Sequence, residues 1–522
     1  MKNIDYYINK YFLSTVLLLT FSLSLGVFIY NFQHGYHLPY ADSISRLNIA
    51  RKVVDNITPG LAQLGNVWLP LPQIVLLPFI WNDFLWHSGI AGTITSSVSY
   101  ILASYFIYKS SYLLTKSKFA SLSSLLIYSL NINILYLQTT AMSEALFTAT
   151  LAASIYYFLE WFIKNQKISL IFAAFSVCAM TLTRYEGLAL LLSSIPVVFT
   201  FTYIKSRKYS LAEGNTVIYS TLACLGFGLW TLYLTVIFGN PLYWKDYYAT
   251  PQATGGISSY SQAKPFLDAV WQYYTSYSWM VGIIPAIYSI ISIFLIIYQT
   301  IKKKSYLFLP LLMPLSIFLF MVLTLQRNTP IVQPDLNIAN ILSGETSKEI
   351  GFNIRYGLLL LPWVAIVSSY LFNLKIFRFL FLVVFSIQII SYFSPTYTPI
   401  YQIPANIYGK PYGEFVIWMK NNYDSGKILI SASSHEDQMF EMGFDYKTFI
   451  HEGTNKYWKE SLDNPSRYAK WVVIDPGHPQ DQVAIHMNRE DILEREYKLL
   501  YNKEQIKVYK KIKKPYYEIR VN

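Results

Sequence analysis

The chain has 522 residues, of which 53% are hydrophobic, 17% aromatic and only 14% charged. That length would hold several soluble domains, but the apolar residues come in blocks of about 17–22, the length a helix needs to cross a bilayer core. The formal charge of +12 calls for no nucleic-acid partner, because much of it sits in short basic loops between the blocks.

The blocks predict an α-helical polytopic membrane protein with about eleven spans, near 11–31, 89–108, 119–137, 143–163, 168–182, 187–204, 217–238, 279–300, 306–325, 356–373 and 377–393. Loops carrying Lys109, Lys116 and Lys118, then Lys164 and Lys167, then Lys205, Arg207 and Lys208, then Lys302–Lys304, then Lys375 and Arg378 fall on one side. The positive-inside rule makes that side cytoplasmic, with the N-terminus beside it. The loops at 32–88, 239–278 and 326–355, and everything after about 394, are expected outside. The first span ends in Phe28-Ile-Tyr-Asn-Phe, without a small-residue cleavage site, and reads as an uncleaved anchor. Cys178 and Cys224 both lie in apolar spans, so no disulfide framework and no cysteine-type metal motif are expected.

The first outer loop opens with His37-Leu-Pro-Tyr-Ala-Asp42-Ser43. From Asp42 to about Asn56 the apolar residues fall at 44, 47, 50, 53 and 54, a helical spacing. Asp42 or Ser43 is a candidate cap, and Pro59 and Gly60 a candidate end. Residues 73–86, ending in Trp81 and Trp86, suit the outer membrane surface. The second outer loop carries Tyr243, Trp244, Tyr247, Tyr248 and then Thr254-Gly-Gly256. The third carries Asp335, Glu345, Lys348 and Glu349.

The division expected is a membrane domain over 1–395 and a small extracytoplasmic α/β domain over 396–522. In the latter, Glu414–Asn422, Glu436–Phe444 and Glu490–Tyr497 read as helices. Lys427–Ser433 and Trp471–Asp475 read as strands, and 497–512 as a closing hairpin.

Charges in or at the edge of spans cost about 2.5–3.5 kcal/mol each on the insertion scale, so each needs a reason. Four stand out: Glu144 in Met142-Ser-Glu144, Arg184 and Glu186 in Arg184-Tyr-Glu-Gly187, and Arg355 in Arg355-Tyr356. The expected topology puts all four near the outer ends of helices, on the side of Asp42.

This order of motifs resembles the GT-C superfamily of polytopic glycosyltransferases, and within it the protein mannosyltransferase and aminoarabinose transferase types (family 39). The resemblance covers about residues 1–395. It implies transfer of a sugar from a polyprenyl-phosphate donor to an extracytoplasmic protein, lipid or polysaccharide, with inversion. It implies Asp42 as general base and arginines on the donor phosphate: Arg355 first, then Arg184 and Arg46, the last one turn after Asp42. Glu144 and Glu186, with Tyr243 and Trp244, are the residues expected to position sugar or acceptor. Asp42 is followed by Ser43 and Ile44 rather than by a second acid. That departure argues against a divalent metal, and no cofactor is expected.

Plainer readings stand beside these. Asp42 would serve as a helix cap, Arg184 and Glu186 as a buried ion pair, and Glu144 as a hydrogen-bond partner of a neighbouring span. Arg355 would snorkel to water, and Tyr243 and Trp244 would belong to an aromatic belt. His34 and His37 read as solvated loop residues rather than zinc ligands. The alternative functions are a transporter or flippase of a lipid-linked glycan, or a non-catalytic glycan-assembly subunit.

Overall fold

The computed structural model describes residues 2–248, 265–302, 306, 308–326, 354–391, 413–487, 491–503 and 505–512. Thr254–Gly256 and the third-loop residues Asp335, Glu345, Lys348 and Glu349 lie outside these. The chain forms two compact units. One comprises Met1–His37, Asn66–Pro72 and Thr93–Asn406. The other comprises Leu38–Gly65, Gln73–Gly92 and Ile407–Asn522, so most of the first long loop groups with the C-terminal region.

The first unit is helical. Among the described residues seven helices are long and apolar enough to cross a membrane: Tyr11–Gln33, Ile90–Thr115, Glu144–Lys164, Gly187–Ser206, Tyr209–Phe238, Ile283–Lys302 and Leu309–Gln326. Shorter apolar helices occupy Lys167–Thr181, Ile354–Ser368 and Phe377–Ile390. Large apolar side chains such as Leu18, Leu192 and Phe294 face outward. That is stable only against lipid, because helices satisfy their own backbone while their side chains meet hydrocarbon. The protein is a multi-pass membrane protein.

Two features depart from the expected spans. The block at 119–137 is not one helix but two, Lys118–Ser129 and Ile132–Leu137. Asn131 breaks it. Its backbone is extended, its side-chain oxygen caps the N–H groups of Asn133 and Ile134, and its amide donates to Met280 O at 2.9 Å. Side-chain competition for backbone groups is what favours Asn at such breaks. The second departure is a helix inside the expected outer loop 239–278, Phe266–Val281, with Ala269, Gln272, Tyr273, Ser276, Tyr277 and Met280 buried at helical spacing. Gly282, at φ +96°, separates it from the following span, a conformation that costs glycine little.

The second unit carries a five-stranded sheet: β1 (Ile428–Leu429), β2 (Phe449–Ile450), β3 (Trp471–Ile474), β4 (Tyr497–Lys503) and β5 (Ile506–Lys511), in the order β2-β1-β3-β5-β4. β1 pairs in parallel with β2 and β3, and the β4–β5 hairpin adds antiparallel to β3. The expected strand at 427–433 is shorter than its apolar run, because a helix begins at Ala432, kinked at His435. β2 was not expected; two residues leave no readable alternation. Ile57 of the first long loop is buried in the same core as Leu429, Ile450, Val472 and Ile474. The loop therefore helps to fold this unit, and burying such a side chain contributes about 1.5–3 kcal/mol.

The helix opening that loop spans Ala41–Val54. Neither Asp42 nor Ser43 caps it. Tyr40 holds the cap position without a side-chain cap bond, and Asp42 falls in the first turn, where a carboxylate meets the positive end of the helix. The helix stops at Asp55, before Pro59 and Gly60: Asp55 still gives its N–H to Arg51 O, the last helical bond, but its own backbone is extended. Residues 73–87 form short turns of helix, Leu77–Ile80 and Asp83–His87, divided at Asn82, which caps the second.

Candidate functional site

In the membrane unit, the four expected intramembrane charges meet. Glu144 is the first residue of its helix and is wholly buried. Its Oε1 accepts from Arg184 Nη1 at 3.1 Å and from Arg355 Nε at 2.9 Å. Arg184 also gives Nη2 to Glu186 at 2.8 Å, Nε to both Glu186 oxygens at 3.3 Å, and Nη1 to Ser143 Oγ at 3.1 Å. The Tyr356 ring lies under both guanidiniums, 4.3 Å from Arg184 and 5.5 Å from Arg355. Two acids thus balance two arginines. Balance matters, because a charge buried without a partner is far costlier than a paired one.

Local sequence sets this geometry. The turn Leu182–Glu186 folds back on the helix before it, with Thr183 and Arg184 N–H on Met180 O at 3.1 Å. A Cβ at Gly187 would sit 2.7 Å from that carbonyl, so the fold-back requires glycine there. Gly357 plays the same part for Arg355. It lies against the backbone of Ser276, where a Cβ would collide. Ser276 Oγ donates to Ile354 O at 2.9 Å and Tyr273 OH to Tyr356 O at 3.1 Å. The sequence reading missed Ser143, Tyr273 and Ser276. Only the spacing of polar residues along 266–281 could have pointed to the last two.

The segment around Val67–Leu71 and the residues Tyr243 and Trp244 reach the same turn. Tyr185 OH donates to Val67 O at 2.6 Å, and Leu71 N–H to Leu182 O at 3.1 Å. Trp244 packs on the Tyr185 ring with centroids 4.6 Å apart, and it joins Tyr243, Leu69 and Trp230 in one apolar cluster. Trp244 and Tyr243 are therefore tied to the Arg184-Tyr-Glu-Gly turn by packing.

Asp42 and Arg46 belong to the second unit. Asp42 is half-buried and Arg46 buried on the helix Ala41–Val54, which packs against the helix Ala432–Met442. Glu436 Oε2 accepts from Ser45 Oγ at 2.5 Å, its Oε1 from Lys52 Nζ at 3.2 Å, and its backbone carbonyl from Asn48 Nδ2 at 3.5 Å. Further along, Arg51 bonds Asp55 (3.1 Å), Asp83 (2.6 Å) and Ile80 O (2.9 Å), and lies over Trp86 at 4.5 Å. Asp55 Oδ2 also accepts from Tyr446 N at 2.9 Å. Burial, Glu436, Glu441 and Asp42 push the Asp437 carboxyl up to about 6. Among the described residues no three His, Cys, Asp or Glu side chains gather as a metal-holding set.

No family model matches the chain, and no curated protein matches it. Solved structures do. The apo Archaeoglobus fulgidus oligosaccharyltransferase superposes with a TM-score of 0.52 at 11% identity, covering 90% of this chain and 70% of that one. Archaeal oligosaccharyltransferase AglB from the same organism, in complex with an inhibitory peptide and a dolichol-phosphate, gives 0.51 at 10% identity and the same coverage. ArnT from Cupriavidus metallidurans bound to undecaprenyl phosphate gives 0.44 at 11% identity, covering 95% and 97%, a likeness too weak to argue from. At these identities the archaeal matches establish the fold: it is the GT-C fold that the motif order led us to expect.

Proposed function

We propose that the protein is an integral-membrane glycosyltransferase that moves a sugar from a polyprenyl-phosphate donor to an extracytoplasmic protein, lipid or polysaccharide. The observation that carries this reading is the fold, shared with an oligosaccharyltransferase solved with a peptide and a dolichol-phosphate. It is supported by an acid, Asp42, in the first turn of a clamped helix, and by a buried arginine pair in the membrane unit.

The acceptor oxygen attacks the anomeric carbon and its proton passes to an Asp42 carboxylate oxygen. The bond from that carbon to the phosphate oxygen breaks, and its electron pair stays on the lipid phosphate. One displacement inverts the sugar. A carboxylate serves as base if held within hydrogen-bond reach, and cations stabilise the leaving phosphate. Arg355 is the first candidate for that phosphate, with Arg184 and Arg46 behind it. Glu144 and Glu186 hold the arginines, and Tyr243 and Trp244 shape the sugar side. The N-terminus would be cytoplasmic and the C-terminal region outside.

The test is Asp42→Asn in the full chain reconstituted in vesicles, with a tritium-labelled polyprenyl-phosphate sugar fraction from the producing cells as donor. Transfer should fall by at least about 100-fold with folding unchanged. Full activity in Asp42→Asn sinks the base assignment. A chain that moves the labelled lipid across the vesicle without breaking its phosphate bond would be a flippase instead.

A further inference from the structure

The first span, Tyr11–Gln33, leaves a groove beside the helix Lys118–Ser129. Its second half is fastened by polar bonds: Ser24 Oγ donates to Gln138 Oε1 at 2.8 Å, and Asn31 Nδ2 to Thr139 Oγ1 at 3.0 Å. Along its first half, Tyr11, Thr15, Leu19 and Leu23 recur turn by turn and face Leu122 and Leu126 across a cavity of about 740 Å³. Tyr11 and Leu19 are exposed, so the cavity opens toward lipid. Thr15 and Thr20 turn their hydroxyls back onto Tyr11 O at 3.0 Å and Val16 O at 2.9 Å, and neither offers that proton to an occupant. A cavity so lined stays dry, and in a bilayer it takes hydrocarbon. From Tyr11 to Leu23 it runs about 18 Å, little more than one leaflet of a core about 30 Å thick.

One end of the groove is basic. Lys118 Nζ lies 5.3 Å over the ring of Phe12, which lines the cavity. Phe12 meets Tyr108 at 6.3 Å, Tyr108 stacks on Tyr112 at 6.5 Å, and Tyr112 carries Lys116 Nζ at 5.9 Å. Lys118 is also the first residue of its helix, with no acid in that turn. A cation at the positive end of a helix costs stability, and an anion placed there offsets the cost. We infer that the groove binds an anionic phospholipid of the leaflet on the lysine side. One acyl chain lies between the two helices, and the phosphate rests on Lys116 and Lys118. The polyprenyl chain of a donor is the rival occupant, and the geometry opposes it. Asn31 lies about 28 Å along the first helix from Phe12. It bonds Thr139, and Glu144, which holds Arg184 and Arg355, follows soon after in the chain. A phosphate on Arg355 therefore stands toward the opposite end of the first helix from these lysines. The inference goes beyond the glycosyltransferase reading and does not depend on it.

The test uses the full chain in phosphatidylcholine nanodiscs doped with phosphatidylglycerol that carries a photoreactive acyl chain. Irradiation should label residues 11–23 and 118–130 about tenfold above the lipid-facing helix Tyr209–Phe238. A phosphatidylcholine probe should label them about tenfold less, the preference expected of lysines at a membrane surface. Lys116→Gln with Lys118→Gln should erase the difference between the two probes at an unchanged unfolding midpoint. Leu19→Trp, at an exposed position, should fill the groove and lower labelling by both. Equal labelling of every lipid-facing helix overturns the site, as does a phosphatidylglycerol preference undiminished in the lysine variant. Label displaced by polyprenyl phosphate but not by unlabelled phosphatidylglycerol gives the groove to a polyprenyl chain and also overturns it. Each of these results is read without any transfer assay, so failure of the glycosyltransferase reading leaves the site standing.

Discussion

Glu144→Gln tests the buried cluster most directly. The substitution keeps the volume and one acceptor oxygen but removes a charge shared by Arg184 and Arg355 at 3.1 and 2.9 Å. The cluster goes from two acids and two arginines to one acid and two arginines, with every partner less than a tenth exposed. Removing one member of a buried pair costs about 3–5 kcal/mol, because the cation stays buried without its counter-charge. Stability is read as the unfolding midpoint in detergent, with expression and monodispersity as controls. The companion variant is Glu144→Gln with Arg355→Gln. It restores balance and leaves Arg184 on Glu186 at 2.8 Å. The double variant should therefore be more stable than Glu144→Gln alone, with a coupling of about 1–3 kcal/mol. If Glu144→Gln unfolds with the wild type, or if the two losses simply add, the charge-balance reasoning is wrong.

Three further outcomes follow from the geometry. Gly357→Ala should lower stability by at least about 1–3 kcal/mol through overpacking on the Ser276 backbone, whereas Gly228→Ala, where a Cβ meets open space, should be neutral by the same unfolding assay. In the second unit, burial and then Lys52 hold His451 well below the usual histidine range, so it is neutral when folded. Unfolded histidine takes a proton below about pH 6.5. This contribution is therefore complete above pH 6.5 and is lost as pH falls, by up to about 1.4 kcal/mol per pH unit. Asp437 works the other way. Its folded value of about 6 lies above the unfolded one, so protonation through pH 6 adds stability. His451→Phe should then reverse the slope of stability against pH between 6 and 5, measured on the reconstituted chain by protection of the second unit from protease. A slope unchanged from wild type would refute the assignment.

Much of the membrane unit was legible because hydrocarbon tolerates few exceptions. Glu144, Arg184, Glu186 and Arg355 stood out as charges among apolar residues, and the structure brings those four together. Their partners were not legible. Arg355 and Glu144 are 211 residues apart, and no local pattern encodes a pairing over that distance. The helix Phe266–Val281 was hidden for a different reason. Its tyrosines, serines and glutamine bury against protein rather than lipid, so its composition resembles an interfacial loop. In the second unit β5 of the closing hairpin begins with buried Ile506 and Val508 alternating with half-buried Lys507 and Tyr509, whereas β1 and β2 are held by two paired residues each, too few to show a period. The grip of Glu436 on Ser45 spans 391 residues, and no local pattern encodes it either.

The same geometry separates the two arginines of the membrane unit as candidates for the donor phosphate. Arg184 spends Nε, Nη1 and Nη2 on Glu186, Ser143 and Glu144. A phosphate could claim it only by displacing carboxylates already in place, and exchanging one anion for another gains little. Its planar fork matches this task, since one group must face two acids at once, and a lysine's single point charge cannot. Arg184→Lys should therefore appear first as lost stability, on the order of 1–3 kcal/mol, with the KM for the lipid donor little changed in the protein that survives. Arg355, held by Nε to an acid it shares and set on a segment anchored by Ser276 and Tyr273, is the arginine whose replacement should be felt by the donor. Arg355→Lys should raise the donor KM by tenfold or more, the loss of about one charge-assisted hydrogen bond, at a smaller cost in unfolding midpoint than Arg184→Lys. If instead Arg184→Lys raises donor KM and Arg355→Lys only destabilises, the phosphate belongs on Arg184, and Glu186 must release it during the reaction.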